Sequence, residues 1–201
     1  MKNELLTVAE ASARIEAGDV MTVAGDSALL EQLPAGRWIG GSSVYFVTET
    51  GGAVVRDKVF CTTFEDVADA EVRALGADDL ADISKGYKAG GFTVMLIPAF
   101  SSTHTTFAQE APNMGALFAQ PLVGWISGVH LDELGSAKPM VFDGGNAAAV
   151  EDGAVCLHIA LPAGAKVSTD IVNIFKQGHD TATTFTFQQT GFTVQTAVVD
   201  G

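Results

Sequence analysis

Cysteine is scarce. Cys61 and Cys156 are the only two in 201 residues, too few and too far apart for a disulfide framework. Each sits in an apolar run, Val59-Phe60-Cys61 and Ala154-Val155-Cys156, which predicts buried, reduced thiols. Positive charge is short as well: 11 Lys plus Arg face 24 Asp plus Glu, for a formal net charge of -13. Such a surface repels phosphate backbones and anionic lipid heads, so neither nucleic acid nor a membrane is an expected partner. There is no apolar run of the roughly 18 residues that a spanning helix needs, and the N-terminus lacks the apolar stretch of a signal peptide. A cytoplasmic location is the resulting expectation. Low-complexity linkers and blocks of like charge are missing too, which predicts one domain over residues 1–201. The glycines form neither G-x-G-x-x-G nor G-K-[ST], and this removes a standard phosphate loop.

What is present is apolar. Hydrophobic residues make up 47% of the chain and charged ones 17%, a balance that belongs to a packed protein rather than a disordered one. Thr7 and Glu10 stand at capping-box spacing, and Val8, Ala11 and Ile15 recur at helical intervals, so a helix is predicted over 8–17. An apolar, β-branched run predicts a strand over 19–24, and the Gly25-Asp26-Ser27 turn then caps a short helix over 28–32. Two strands, 37–47 and 53–63, read as a hairpin closed at 48–52. Residues 65–86 read as helix split at Gly76, and 92–100 as a strand apolar on both faces and hence covered on both. Thr106 is placed to cap a further helix that Pro112 cuts short. Beyond it the pattern is β, over 122–129, 139–142, 154–161, 167–175, 183–187 and 192–199, with turns at Asp143-Gly144-Gly145, Glu151-Asp152-Gly153 and Thr190-Gly191. The expected fold class is α/β, a mixed β-sheet with covering helices and a β-rich C-terminal half.

One strand is unusual. Gly40, Gly41, Ser42 and Ser43 occupy consecutive positions behind Trp38 and Ile39, where a buried strand would carry larger side chains. Glycine within a strand marks a bulge, a bend, or the close approach of a backbone or ligand. Val123, Gly124, Trp125, Ile126, Ser127 and Gly128 echo the same composition, a weak sign of internal duplication. The run from Ile39 to Ser43, then Gly51-Gly52-Ala53-Val54-Val55, then Val59-Phe60-Cys61-Thr62-Thr63-Phe64 resembles the bacterial FIST sensory domains. So do Pro121-Leu122-Val123-Gly124, Pro139-Met140-Val141-Phe142-Asp143-Gly144 and Asp152-Gly153-Ala154-Val155, in the same order. The likeness covers residues 37–162, and this chain is shorter than a complete FIST protein, so it resembles a divergent or truncated member. The resemblance implies an intracellular sensor of small molecules acting in signal transduction. No signalling module accompanies it here, so sensing would work through a protein partner or through homo-oligomer assembly.

The residues offer several sites. Ser42 and Ser43 are expected on opposite strand faces, so one at most lines a given cavity. Close packing explains small residues there as well as a ligand does. Ser101, Ser102 and His104 lie in a hydroxyl-rich loop at the carboxyl end of the 92–100 strand, where open α/β sheets bind ligands. Local helix capping explains those hydroxyls equally. With Tyr45 and Trp125 these five make the candidate ligand-binding set. A catalytic alternative pairs Cys61, or a serine, with His104, making a hydrolase or transferase, although no third orienting residue is marked. Cys156 and His158 share one strand face and could begin a metal site, but His130 and His179 add no ligand spacing, so no metal or cofactor is expected. A third reading is an assembly protein whose glycine-rich strands pack on another subunit.

Overall fold

The computed structural model describes residues 1–176, 178, 182–189, 191 and 194–200. Its first strand, β1 (Lys2–Leu6), leads into α1 (Val8–Glu16). Thr7 starts that helix with a full capping box: the Glu10 N–H donates to the Thr7 hydroxyl, and the Glu10 carboxylate accepts from the Thr7 N–H at 2.8 Å. β2 (Val20–Gly25) follows, then α2 (Ser27–Leu30), a single turn whose N-cap is Asp26. β3 (Trp38–Ser42), the hairpin β4 (Tyr45–Thr48) and β5 (Gly51–Val54), and β6 (Val59–Phe64) complete the first part of the chain. Next come β7 (Asp69–Leu75), the 3-10 helix Ala77–Gly86, β8 (Phe92–Pro98), α3 (Ser102–Glu110) and β9 (Leu122–Ser127). β10 (Val141–Asp143), β11 (Ala148–Val150) and β12 (Ala154–Ala160) follow, and β13 (Phe185–Phe187) pairs with β14 (Ala197–Val199) near the C-terminus.

Two mixed sheets result. One has the order β1-β6-β2-β3-β10-β11, the other β7-β12-β8-β9. Only β2 with β3 and β8 with β9 run parallel; the remaining neighbours in both sheets are antiparallel. Because strand side chains alternate between faces, each central strand contributes to two cores. Met21, Val23, Trp38, Cys61 and Phe142 pack beneath α1 and α2 with Ala11, Ile15 and Leu30. Met95, Ile97, Ala154 and Cys156 pack with Leu80 and Ile83 of the 3-10 helix and with Phe107 of α3. Val20, Ile39 and Val141 of the first sheet meet Val94, Leu96, Val155, Leu157 and Ile159 of the second. The order of layers is helix, sheet, sheet, helix. Burying a strand on both faces requires a continuous apolar run, and β8 and β12 supply it.

The α/β class is as the sequence predicts, but several elements differ. Residues 65–86 are not helical throughout. β7 puts Ala70 and Val72 against the inter-sheet core and its backbone against β12, so sheet pairing overrides the helical spacing there. The predicted strand over 37–47 divides after Ser42: β3 joins the large sheet, whereas β4 turns away and pairs only with β5. β6 likewise reaches the large sheet, between β1 and β2, instead of pairing with its sequence neighbour. α3 begins at Ser102, four residues ahead of the Thr106 start, because Ser101 caps it. Residues 167–175 form no strand, and Ile171, Val172, Ile174 and Phe175 are exposed. Of the predicted strands near the C-terminus, 183–187 contracts to β13 and 192–199 to β14. Phe192, Thr193, Thr190 and His179 lie outside the described residues.

Candidate functional site

β3 shows why the glycines are there. A side chain at Gly40 would come within 2.8 Å of the Trp38 ring, on the face under the helices. A side chain at Gly41, on the opposite face, would lie 3.1 Å from the Trp125 indole nitrogen and 3.3 Å from the Ser127 Cβ. The two absences therefore admit two tryptophans, one on each side of the sheet. No bulge is involved: β3 keeps continuous register with β2 from Trp38 to Ser42 and with β10 from Ile39 to Gly41. What approaches the glycines is side chain rather than a helix backbone.

Trp125 of the second sheet packs on Gly41 of the first, and a cleft of about 640 Å3 lies beside it. Its walls are Phe64 and Thr62 of β6, Thr22 of β2, Phe92 and Val94 of β8, Val123 and Trp125 of β9, and Ile159 of β12. A smaller lobe of about 240 Å3 continues past Thr22, Thr62 and Trp125 toward Ala24, Ser43, Tyr45 and Phe46. Thr22 and Thr62 face each other across the β2–β6 ladder, and the Thr62 hydroxyl already donates to the Asn3 side-chain oxygen at 2.9 Å. At the outer mouth the N-terminal amine is bound to Glu65 at 2.7 Å, and Ser168, Thr169 and Asp170 border the opening. The amine holds the Glu65 carboxyl below its ordinary range through that hydrogen bond.

The predicted residues divide. Ser43, Tyr45 and Trp125 come together at the inner lobe. Ser42 faces away from it: its hydroxyl accepts from the Met140 N–H at 2.9 Å, and it borders a separate polar cleft of about 540 Å3. Arg56 crosses that cleft between Asp26 at 2.6 Å and Glu133 at 2.7 Å, so its charge is already satisfied. The Tyr45 hydroxyl accepts from the Leu131 N–H at 2.9 Å, and its ring stacks on His130 with centroids 5.4 Å apart.

Ser101, Ser102 and His104 form a helix start instead. The Ser101 hydroxyl donates to the Pro98 carbonyl at 2.8 Å and accepts from the His104 N–H at 3.0 Å. The Ser102 hydroxyl donates to Asp152 at 2.7 Å, and the Thr103 N–H and hydroxyl donate to the same carboxylate at 3.0 and 2.8 Å. These hydrogen bonds, that of Ser102 foremost, lower the Asp152 carboxyl to about 2. Asp152 thus ties the β11–β12 turn to the first turn of α3. The Phe100 N–H points at the His104 Nδ1 at 3.4 Å.

The catalytic pairing is not assembled. Cys61 packs under α1 in the first sheet's helix-side core, whereas His104 stands on α3 over the second sheet. Burial pushes the Cys61 thiol up to about 12, the reverse of nucleophile activation. Cys156 and His158 do share a face, under the 3-10 helix. The Cys156 thiol is likewise raised to about 12 by burial, and burial lowers His158 to about 4. The His158 Nδ1 lies 2.8 Å from the Thr93 hydroxyl; its ring abuts Gly86, and its Nε2 has no partner. Among the described residues no group of three His, Cys, Asp or Glu is placed to hold a metal ion.

Thr22, Thr62, Phe64, Phe92 and Ile159 escape sequence reasoning although they line the main cleft. The signal is a threonine at the inward position of two otherwise apolar strands, but inwardness depends on which strands pair. The fold and cleft define a class: a four-layer α/β protein with an open apolar groove between its two sheets. The chain belongs to the DUF6976 family, a family of unknown function whose model matches residues 6–201. No curated protein and no solved structure matches it. No helix among the described residues is long and apolar enough to cross a membrane.

Proposed function

We propose that the protein binds a small molecule in the groove between its sheets and acts as a cytoplasmic sensor through a protein partner or its own assembly. The observation that carries this is the cleft of about 640 Å3 among Thr22, Phe64, Phe92, Val94, Trp125 and Ile159. Its size falls within the range of small-molecule pockets, and apolar walls with a few hydroxyls are the usual lining of such pockets. Two buried, unpaired cysteines agree with a reducing compartment. The FIST resemblance over residues 37–162 points to sensing as well. A catalytic role lacks support: the thiols are raised, and His104 and His158 lie outside the groove.

Native mass spectrometry of protein purified from its own host tests this. The wild type should carry a small-molecule adduct or take up an apolar fluorophore. Thr62→Trp, which fills the junction of the two lobes, should lose that uptake while remaining folded. A folded wild type with no adduct and no affinity for apolar probes would remove the proposal.

A further inference from the structure

The groove also indicates the kind of molecule. We infer that its ligand is an uncharged, elongated lipophile carrying one hydrogen-bonding oxygen at its inner end, such as a long-chain alcohol or ketone. The inference rests on the groove being the ligand site.

Shape gives the elongation. Phe60 borders the inner lobe and Phe64 the main cleft, on the same face of β6, and four strand residues span roughly 13 Å. Thr62 between them borders both lobes, so the space runs along the strand rather than forming a round cavity.

Charge gives the neutrality. Among the described residues neither lobe is bordered by Lys or Arg, and the inner lobe is bordered by no Asp or Glu, so an ammonium at the inner end would be as unpaired as an anion. The N-terminal amine at the mouth is already held by Glu65 at 2.7 Å, and the nearby Lys2 and Arg14 are paired with Glu4 and Asp19. A carboxylate or phosphate entering the groove would lose its water and meet no free positive charge, a cost that burial makes severe. The net charge of -13 opposes its approach as well.

Unpaired polar atoms give the head group. The Trp125 indole borders both lobes. Among the described residues no hydrogen bond uses the Trp125 N–H. Ser43 is close by, its hydroxyl engaged only at 3.4 Å within its own turn. A neutral oxygen that accepts from the indole N–H gives the ligand's own polar atom a partner inside the groove without bringing in charge.

Isothermal titration calorimetry with three ten-carbon probes tests the assignment: 1-decanol, decanoate and decylammonium, each below its aggregation threshold at pH 8. 1-Decanol should bind at least tenfold more tightly than either ion. Trp125→Phe keeps the ring face but removes the N–H, and should weaken 1-decanol by roughly three- to tenfold, the worth of one hydrogen bond. The same variant should weaken decane-like apolar probes by less than it weakens 1-decanol. Decanoate or decylammonium binding as tightly as 1-decanol would overturn the neutral class while leaving small-molecule binding intact. Equal 1-decanol affinity in wild type and Trp125→Phe would overturn the head-group assignment. Failure of every probe, the apolar ones included, would overturn the binding reading itself.

Discussion

Gly41 has no side chain because Trp125 and Ser127 from the other sheet occupy the place where one would stand. Gly41→Val puts branched carbons into that space, and overpacking of this kind costs about 1–3 kcal/mol. Urea unfolding should show a lower midpoint with an unchanged slope. Ser43→Ala, at a half-buried position with only long hydrogen bonds, should stay within about 0.5 kcal/mol of wild type. His158 offers a different residue-scale test. Burial holds its folded-state value near 4, below the ordinary 6.5, so the unfolded chain takes up the proton first as pH falls. The stability this group contributes is complete above pH 6.5 and is lost progressively down to about 4, a difference on the order of 3 kcal/mol. His158→Gln should flatten the slope of unfolding free energy against pH between 6.5 and 4, whatever its effect on the absolute value.

At the scale of elements, α3 depends on a residue distant in sequence. Ser101 caps it locally, but Asp152 supplies the negative charge at its first turn and accepts from both Ser102 and Thr103. Asp152→Asn should lower the melting temperature by an amount equivalent to about 0.5–1 kcal/mol, exposure and solvent screening keeping the effect small. Because the Asp152 carboxyl is lowered to about 2 from 3.8, its contribution is full above pH 3.8 and fades as pH falls toward 2. The wild type and Asp152→Asn should therefore converge in stability near pH 2, below the window in which His158 titrates. Convergence already complete at pH 5 would refute the role of the carboxylate. α1, by contrast, is legible in the chain itself, since Thr7 and Glu10 satisfy each other within four residues.

At the scale of the whole molecule, the two cysteines stand in different cores, one under α1 and one under the 3-10 helix, with both sheets between them. A disulfide between them has no route in the folded state. Thiol labelling of the native protein should be slow at both positions, becoming fast only in denaturant; rapid native labelling of either would contradict its burial. The sequence by itself determined the α/β class, the capping box of α1, the apolar character of β8 and β12, and the small residues of β3, because these follow from local periodicity and side-chain volume. Only the tertiary structure decided that Gly40 and Gly41 receive Trp38 and Trp125, that 69–75 is a strand, and that Thr22 and Thr62 meet across a ladder. It also placed Ser101, Ser102 and His104 at the start of α3. The physical reason is common to all of these: strand pairing and sheet packing join residues far apart in the chain, and the face a side chain presents is fixed by its partners rather than by its neighbours.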